Sequence, residues 1–480
     1  MRAKDDLFKL IKSMSKSEKR YFSLDAKKSG KTGSRYLELF RFLSEADVYD
    51  EERLKKKFPK NLSSDKNYLY DAVLRSMRDY RSVKSKAAQI KEKLQDSRFL
   101  FERGLYNQCD ARLREANDIA VELGDELMIL EVARERLLTI KSNKEKNFVT
   151  QVEGLLADKS AALEKVCEYF KYSDAYYETI VKVAKNFHLP PEEREQISLP
   201  AFFAEEADLP KSSQAQRRYL QTRALFHQLK GEKKKVLEYF KKTAEWWKEN
   251  PAFREEEYTK YISDWFNLIY ACFANDLYED AKEYIERMKA DKPVQLHDRR
   301  LWEENVFLNE FMYFLNTKDY DAAVAMTESL HPLKAKKNFT NFALIAANAG
   351  ILFFQKGNYE KSRKWLEKII QDPKLPMRTD AQVIVRMLNL ICMYETDEIE
   401  NLDNEMRSVQ RFLRKINLTA DTTEGKILRR LGKIFRAAPY EAEAEKASLA
   451  DFLQQNFRKA GSKDDLIEPL LPWSGATVGV

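Results

Sequence analysis

The chain has 480 residues, of which 34% are charged and 44% are hydrophobic, and it contains only 13 Gly and 13 Pro. Strand-rich folds need turn residues every ~8–12 positions, so this supply excludes an all-β architecture. The 28 Phe, 23 Tyr and 6 Trp provide enough bulky core to exclude wholesale disorder. No apolar run approaches the ~18 residues that a membrane helix needs, and residues 1–22 lack the apolar segment of a signal peptide. The composition therefore predicts an all-α protein of amphipathic helices.

The positive charge is concentrated at one end of the chain. Residues 1–93 contain 25 Lys or Arg and 14 Asp or Glu, whereas the remaining 387 residues contain 59 and 63. We therefore distinguish a small basic helical N-terminal region, residues 1–94. Ser15 and Glu18 have the spacing of a capping box at a helix start. The helices predicted in this region span 4–13, 16–27, 34–45, 50–58 and residue 64 onward.

Two basic clusters lie in this region, and they could contact nucleic acid or an acidic protein partner. The first is Lys55, Lys56 and Lys57, and the second is Arg75, Arg78, Arg81 and Lys84. A cation every third residue winds around a helix as a curved ridge, and such ridges can neutralise phosphates. A solvated helix face has the same composition. The sequence leaves these interpretations open.

Residues 95–460 repeat one layout: a helix, a short polar turn, and a second helix with small and aromatic residues at fixed offsets. In 350–373, Gly350 allows two helices to approach closely and Gly357 ends the first helix. An apolar series then follows at i, i+4 and i+7 on the second helix, starting from a small residue. Its members are Ser362, Leu366 and Ile369.

Equivalent turns are predicted near residues 231, 276, 318, 357 and 397, at steps of 45, 42, 39 and 40 residues, and an earlier one at Gly104. Two less regular hairpins are expected within 126–207, and a last pair at 424–437 and 440–459. This recurrence resembles the tetratricopeptide repeat. The resemblance implies a right-handed superhelix of stacked antiparallel helical hairpins, a tetratricopeptide-like solenoid, over residues 95–460.

In that family the first helix of each hairpin lines a concave groove, which can hold a peptide or a helix. The resemblance implies that the equivalent positions here form a partner-binding groove. An apolar stripe at helical spacing is also typical of ordinary core, so this second interpretation stays open. The implied groove residues are Arg218, Gln221, Leu225, Phe266, Tyr270, Phe273, Asn305, Leu308, Met312, Ile351 and Phe354.

The last segment, residues 461–480, contains two prolines and three glycines and departs from the repeat pattern. It is interpreted as a flexible end, as a partner-binding segment, or as a cap on the last hairpin. Capping would use the apolar side chains Leu466, Ile467, Leu470, Leu471 and Trp473.

No pattern in the sequence indicates catalysis, a metal site or a cofactor. His188, His227, His297 and His331 lack metal-binding spacing, and His227 is expected to be a satisfied group between helices. Cys109, Cys167, Cys272 and Cys392 lie far apart, so they are predicted to be small buried residues rather than disulfides. This cysteine usage favours a reducing, cytoplasmic location.

These observations predict a non-enzymatic scaffold or adaptor that binds a segment of a partner protein in the groove. The alternative is a regulator whose basic N-terminal region binds nucleic acid and whose repeat array senses a ligand or partner.

Overall fold

The computed structural model describes residues 5–28, 35–82, 85–143, 147–185, 191–204, 209–293, 298–329, 341–372, 377–460 and 468–475. Every regular element in these ranges is a helix, which confirms the predicted all-α class. Beyond the N-terminal region, most helices that are adjacent in the chain pack against each other.

The N-terminal region forms five helices close to the predicted bounds: α1 (Asp6–Ser13), α2 (Lys16–Lys28), α3 (Arg35–Glu45), α4 (Glu51–Lys57) and α5 (Leu62–Ser82). The predicted capping box is confirmed. The Ser15 N–H donates to Glu18 Oε2 at 2.7 Å, and the Glu18 N–H donates to Ser15 Oγ at 3.2 Å. These bonds satisfy amides that have no partner within the helix, so α2 starts at a defined residue.

A separate small core holds these five helices together. Leu7 and Ile11 of α1 are buried with Phe22, Phe40 and Val73 from the other helices. The next helix, α6 (Lys86–Phe101), begins with the Ser85 side chain accepting from the Ala88 N–H. The predicted boundary at residue 94 therefore falls inside α6.

The following helices are α7 (Tyr106–Leu123), α8 (Glu126–Asn143), α9 (Phe148–Lys185), α10 (Pro191–Arg194), α11 (Ser213–Lys230), α12 (Lys233–Glu249), α13 (Pro251–Glu256), α14 (Tyr258–Ala274), α15 (Tyr278–Ala290), α16 (Arg299–Asn316), α17 (Tyr320–Ser329), α18 (Phe342–Gln355), α19 (Tyr359–Ile370), α20 (Thr379–Glu395), α21 (Ile399–Lys415), α22 (Thr423–Ile434), α23 (Pro439–Ala460) and α24 (Leu471–Ser474).

The predicted turns are confirmed by a backbone conformation that recurs between paired helices. A residue with positive φ ends the first helix at Gly104, Gly231, Asp276, Lys318, Gly357 and Asp397. The next N–H then donates to the carbonyl five residues earlier, as from Asn358 to Phe353 at 2.8 Å. This bond satisfies a carbonyl that the helix end leaves open.

Gly350 permits the close approach of α18 and α19 that its position predicts. A Cβ there would lie 2.4 Å from Leu366 Cδ2 and 2.8 Å from Leu366 Cγ, and Leu366 is fully buried. The Ser362 hydroxyl donates to the Gly350 carbonyl at 2.7 Å across the same contact. The small residues therefore bring the two backbones together.

The prediction of two hairpins within 126–207 is wrong. Instead α8 is followed by α9, a single helix of 38 residues. The sequence of α9 contains one Gly, Gly154, and no Pro. A single Gly weakens a helix without ending it, so α9 continues through this position. The repeat of short hairpins is thus absent from this part of the chain.

α9 also differs in how it meets its neighbours. Its Lys165 Nζ lies 3.1 Å from Glu126 at the start of α8. Its second half packs on α11, where Glu168 accepts from the Ser212 N–H and Tyr176 lies under Arg218. From the first of these contacts to the second, the residue number increases on both helices. α9 and α11 therefore run in the same direction.

One continuous core links α11 to α24. The segment at 468–475 covers the end of this core, where Leu470 and Leu471 are buried. The Trp473 Nε1–H donates to Glu395 Oε1 at 2.7 Å and fixes the segment against α20. Leu466 and Ile467, named for the same purpose, lie outside the described residues.

Candidate functional site

The eleven predicted groove residues all lie on the first helices of four hairpins, α11, α14, α16 and α18. Seven of their side chains are buried in the structure, and four are half-buried. The buried ones are Arg218, Gln221, Phe273, Asn305, Leu308, Met312 and Phe354. The half-buried ones, here named the accessible strip, are Leu225, Phe266, Tyr270 and Ile351.

The accessible strip is the part of the predicted groove that another molecule can touch. Phe266, Tyr270 and Ile351 pack against the main core while keeping part of their surface open. Aromatic side chains of this kind bury a large area at a low entropy cost when a partner binds. Every member of the accessible strip is apolar or aromatic.

The two polar groove residues on α11 belong to a buried network around Asp264, which sequence reasoning missed. Arg217 donates from Nε to Asp264 Oδ2 at 2.9 Å, and its Nη2 lies 2.8 Å from the same oxygen. Gln221 Nε2 donates to Asp264 Oδ1 at 2.6 Å, and Trp247 Nε1 donates to Oδ2 at 2.8 Å. The carboxylate is thereby compensated by one cation and two neutral donors.

More positive than negative charge is buried around this Asp264 network. Arg218 donates to Gln221 Oε1 at 3.0 Å and lies 4.2 Å over the Tyr176 ring. Arg223 donates to Tyr239 Oη at 2.8 Å and to the Phe203 carbonyl at 3.2 Å. Aromatic faces and carbonyl oxygens therefore take the place of counter-ions. Burial raises the pKa of Tyr176, which keeps that phenol neutral.

The sequence did contain a signal for this network. Asp264 is the only acidic residue of α14, a helix otherwise dominated by aromatic and aliphatic side chains. A lone carboxylate in such a helix is rarely buried without a cationic partner. Its position predicts a buried ion pair, although it does not indicate which arginine supplies the charge.

His227 lies between helices, as expected, but it is not the fully satisfied group that the sequence predicted. Its Nδ1 lies 2.6 Å from Glu232 Oε2, and its ring stacks on Tyr239 of α12 with centroids 5.4 Å apart. Nε2 is buried and has no hydrogen-bond partner among the described residues. Burial lowers the pKa of His227, and the neighbouring Glu232 carboxylate partly opposes this. His188, His297 and His331 lie outside the described residues.

The basic clusters of the N-terminal region are exposed. Lys55 pairs with Glu52 at 3.1 Å, Lys57 lies 4.7 Å from the Phe42 ring centroid, and Lys56 lies between them on α4. These lysines end α4, where cations interact favourably with the helix dipole. They therefore have a structural role that requires no partner.

The second cluster lies on α5. Arg75, Arg78 and Arg81 are exposed there, and within the described ranges no ion pair engages them. Asp71 and Asp79 are exposed on the same helix. Lys84, the fourth predicted member, lies outside the described residues.

The cysteine prediction is partly wrong. All four cysteines are free, as expected, and Cys109, Cys272 and Cys392 are buried, but Cys167 is exposed on α9. The reason is that no described helix covers its side of α9. Burial raises the pKa of Cys272 and of Cys392 to about 12, which keeps both thiols protonated.

Across the described ranges, no cluster of three or more His, Cys, Asp or Glu side chains could hold a metal ion. None of the helices described is both long and apolar enough to span a membrane.

Comparisons with protein-family models, with curated proteins and with solved structures gave no match to this chain.

Proposed function

We propose that this protein is a scaffold or adaptor that binds a segment of a partner protein on the inner face of a helical repeat array. The array would be a right-handed superhelix of stacked hairpins similar to the tetratricopeptide repeat. Free cysteines and the lack of a spanning helix in the described ranges are compatible with a cytoplasmic location, which is part of the proposal.

One observation carries this proposal. The accessible strip places an apolar side chain at corresponding positions of three first helices, α11, α14 and α18. The turns that end these helices lie at Gly231, Asp276 and Gly357 and share one backbone conformation. Repeated units that each offer one apolar contact suit an extended partner segment better than a compact small ligand.

Site-specific photo-crosslinking tests the proposal. A photoreactive phenylalanine analogue at Tyr270 should form an adduct with a protein in native extract, and mass spectrometry identifies that protein. The same group at Tyr440, which is 82% exposed on α23, is the matched control and should not capture it. The Phe266→Ala/Tyr270→Ala double variant should then reduce affinity for the purified partner by at least about tenfold.

The adduct should survive high salt and nuclease, because apolar contacts depend little on ionic strength. An adduct that forms equally at Tyr440, or a partner whose affinity is unchanged in the double variant, would contradict the proposed site.

A second candidate function is nucleic-acid binding by the N-terminal region. The observation that favours it is the set of exposed arginines on α5, Arg75, Arg78 and Arg81. Each phosphate contact contributes to a steep fall of affinity with salt.

Arginine-to-glutamate changes at all three positions should strongly weaken binding to a duplex probe and flatten the dependence of the remaining affinity on salt. The matched control makes the same change at three exposed arginines of α21, Arg407, Arg411 and Arg414. If both triple variants lose binding equally, the effect is one of net charge and the candidate is wrong.

A further inference from the structure

α9 exposes a series of large apolar side chains that repeats every seven residues. Their exposed fractions are 64%, 42%, 50%, 47% and 55% along the helix. We name this series the heptad ridge, and its members are Val149, Leu156, Leu163, Phe170 and Tyr177. On α19, by contrast, the apolar side chains Leu366 and Ile369 are buried.

The repeat length of seven residues indicates which kind of partner segment can cover the heptad ridge. A strict repeat of seven drifts by ~20° per heptad around a straight α-helix, so the ridge turns by ~80° over four heptads. Another helix that crosses at about 20° follows this drift, as in a left-handed coiled coil, whereas an extended strand does not. From Val149 to Tyr177 the ridge extends ~42 Å.

Small side chains on α9 face away from the heptad ridge. Gly154, Ala157 and Ala161 are exposed, but each is turned by about 100° or more around the helix from the ridge. A Cβ built on Gly154 would meet no atom within 4 Å. That side of α9 is therefore open as well.

The charges that flank the heptad ridge are mainly acidic. Four exposed acidic side chains lie on the ridge side of α9, and these are Glu153, Glu164, Asp174 and Glu178. One exposed side chain on that side, Lys171, is basic, and Asp158 and Lys182 lie on the far side of the helix. Glu164 also lies 4.0 Å from the exposed Lys211.

The half-buried charges change this balance little. Lys165 and Glu168 are engaged by Glu126 and by the Ser212 N–H, and Lys159 adds one cation. An acidic border favours a partner with cations at the flanking positions and disfavours pairing with a second α9, which would bring like charges together.

We infer that the heptad ridge is a docking surface for an amphipathic α-helix of another protein, with Lys or Arg residues flanking its apolar seam. The partner helix would pack its own apolar heptad positions along Leu156, Leu163 and Phe170. Its cations would lie against Glu153, Glu164 and Glu178. This surface is on α9, so it is distinct from the accessible strip.

A pair of synthetic helical peptides tests the inference with the full chain. Both are about 28 residues long, the length of the ridge, and carry Leu and Ile at the heptad core positions. One has Lys at the flanking positions and the other has Glu. We expect the Lys peptide to bind at least about tenfold more tightly by fluorescence anisotropy.

Two sets of variants localise the binding. Leu163→Glu/Phe170→Glu should abolish binding of the Lys peptide, while Val121→Glu, at a similarly exposed apolar side chain of α7, should leave it unchanged. The triple change Glu153→Lys, Glu164→Lys and Glu178→Lys should reverse the preference between the two peptides. Thermal denaturation checks that each variant is folded.

Cys167 provides a direct readout of occupancy. It is exposed on α9 four residues after Leu163, whereas the other three cysteines are buried. The bound Lys peptide should slow alkylation of the Cys167 thiol, and the Leu163→Glu/Phe170→Glu variant should lose this protection.

Three results would overturn the inference. One is equal affinity for the two peptides, and another is binding that persists in the Leu163→Glu/Phe170→Glu variant. The third is a concentration-dependent dimer in sedimentation that the same variant abolishes, since the ridge would then be covered by a second copy. Loss of peptide binding in Phe266→Ala/Tyr270→Ala alone would instead assign it to the accessible strip.

Discussion

The hairpin of α18 and α19 and the long helix α9 both carry regularly spaced apolar side chains, but they use them in opposite ways. On α19, Leu366 is fully buried against Gly350 of α18. On α9, Leu163 is half exposed at the centre of a ridge of large apolar side chains. Apolar periodicity therefore predicts that a helix has an apolar face, but it does not indicate whether another part of the same chain covers that face.

The largest difference between the paired helices and α9 should appear when a charged side chain is removed, and the paired helices offer Asp264 of α14 for this test. Asp264→Ala leaves Arg217 buried without its anion, and we expect a loss of about 3–5 kcal/mol in the free energy of unfolding. Chemical denaturation measures it. Glu164→Ala on α9, where the carboxylate is exposed, is the control and should leave the denaturation midpoint unchanged. Equal losses would mean that the Asp264 network is not the buried anchor described above.

Truncation of apolar side chains should separate the regions next. Leu366→Ala removes a fully buried side chain and should cost about 2–5 kcal/mol of stability. Leu163→Ala on the heptad ridge should change the free energy of unfolding by less than about 0.5 kcal/mol, because the Leu163 side chain is already about half exposed to solvent. Both are measured by urea denaturation. A large loss for Leu163→Ala would show that the ridge is covered in the isolated chain.

Glycine-to-alanine changes should have opposite signs in the two regions. Gly350→Ala forces a methyl group against Leu366 and should destabilise the protein by about 1–3 kcal/mol. Gly154→Ala adds a methyl group in open space and should stabilise α9 by up to about 1 kcal/mol. Thermal midpoints of the two variants check this. Destabilisation in both would indicate that the face of α9 beside Gly154 is packed.

The turns of the stacked hairpins offer a smaller test. Lys318 has φ of 60°, a conformation that costs a side-chain-bearing residue about 1 kcal/mol and costs glycine little. Lys318→Gly should therefore stabilise the protein by about 1 kcal/mol, and Gly357→Ala should destabilise it by a similar amount. Calorimetry of both variants provides the comparison, and the same sign for both would contradict it.

The smallest effect concerns pH. The folded protein holds the pKa of His227 below its ordinary value of 6.5, so between the two pKa values the unfolded chain binds more protons. Its contribution to stability is therefore present above pH ~6.5 and is lost as the pH falls through the lowered pKa. His227→Gln should flatten the pH dependence of the denaturation midpoint below pH ~6.5. An unchanged profile would exclude His227 as its source.

Much of the local structure was predictable because it depends on neighbours in sequence. The capping box at Ser15 and the turns at Gly231 and Gly357 each need only a few adjacent residues. The buried series Ser362, Leu366 and Ile369 follows from helical spacing in the same way. The continuity of α9 was missed, although the absence of Pro between 148 and 185 was visible.

The candidate site was only partly predictable. The helical register correctly predicted that the eleven groove residues lie on the first helices of four hairpins. Seven of their side chains are nevertheless buried, because burial depends on how closely the next hairpin packs. Arg218 and Gln221 were assigned to a surface but are buried in the Asp264 network. Tyr176, whose ring lies under Arg218, and Asp264, which accepts from Gln221, are each more than 40 residues away along the chain. No local pattern encodes such a distance.

By itself the sequence determined that the chain is helical, where most helices begin and end, and which face of each is apolar, since these follow from periodicity, capping and turn residues. The tertiary structure alone decided which apolar faces are covered. It buries the apolar faces between paired helices, places Asp264 beside Arg217, and leaves the heptad ridge of α9 exposed. The physical reason is that burial is a property of two surfaces in contact, and the sequence of one helix specifies only one of them.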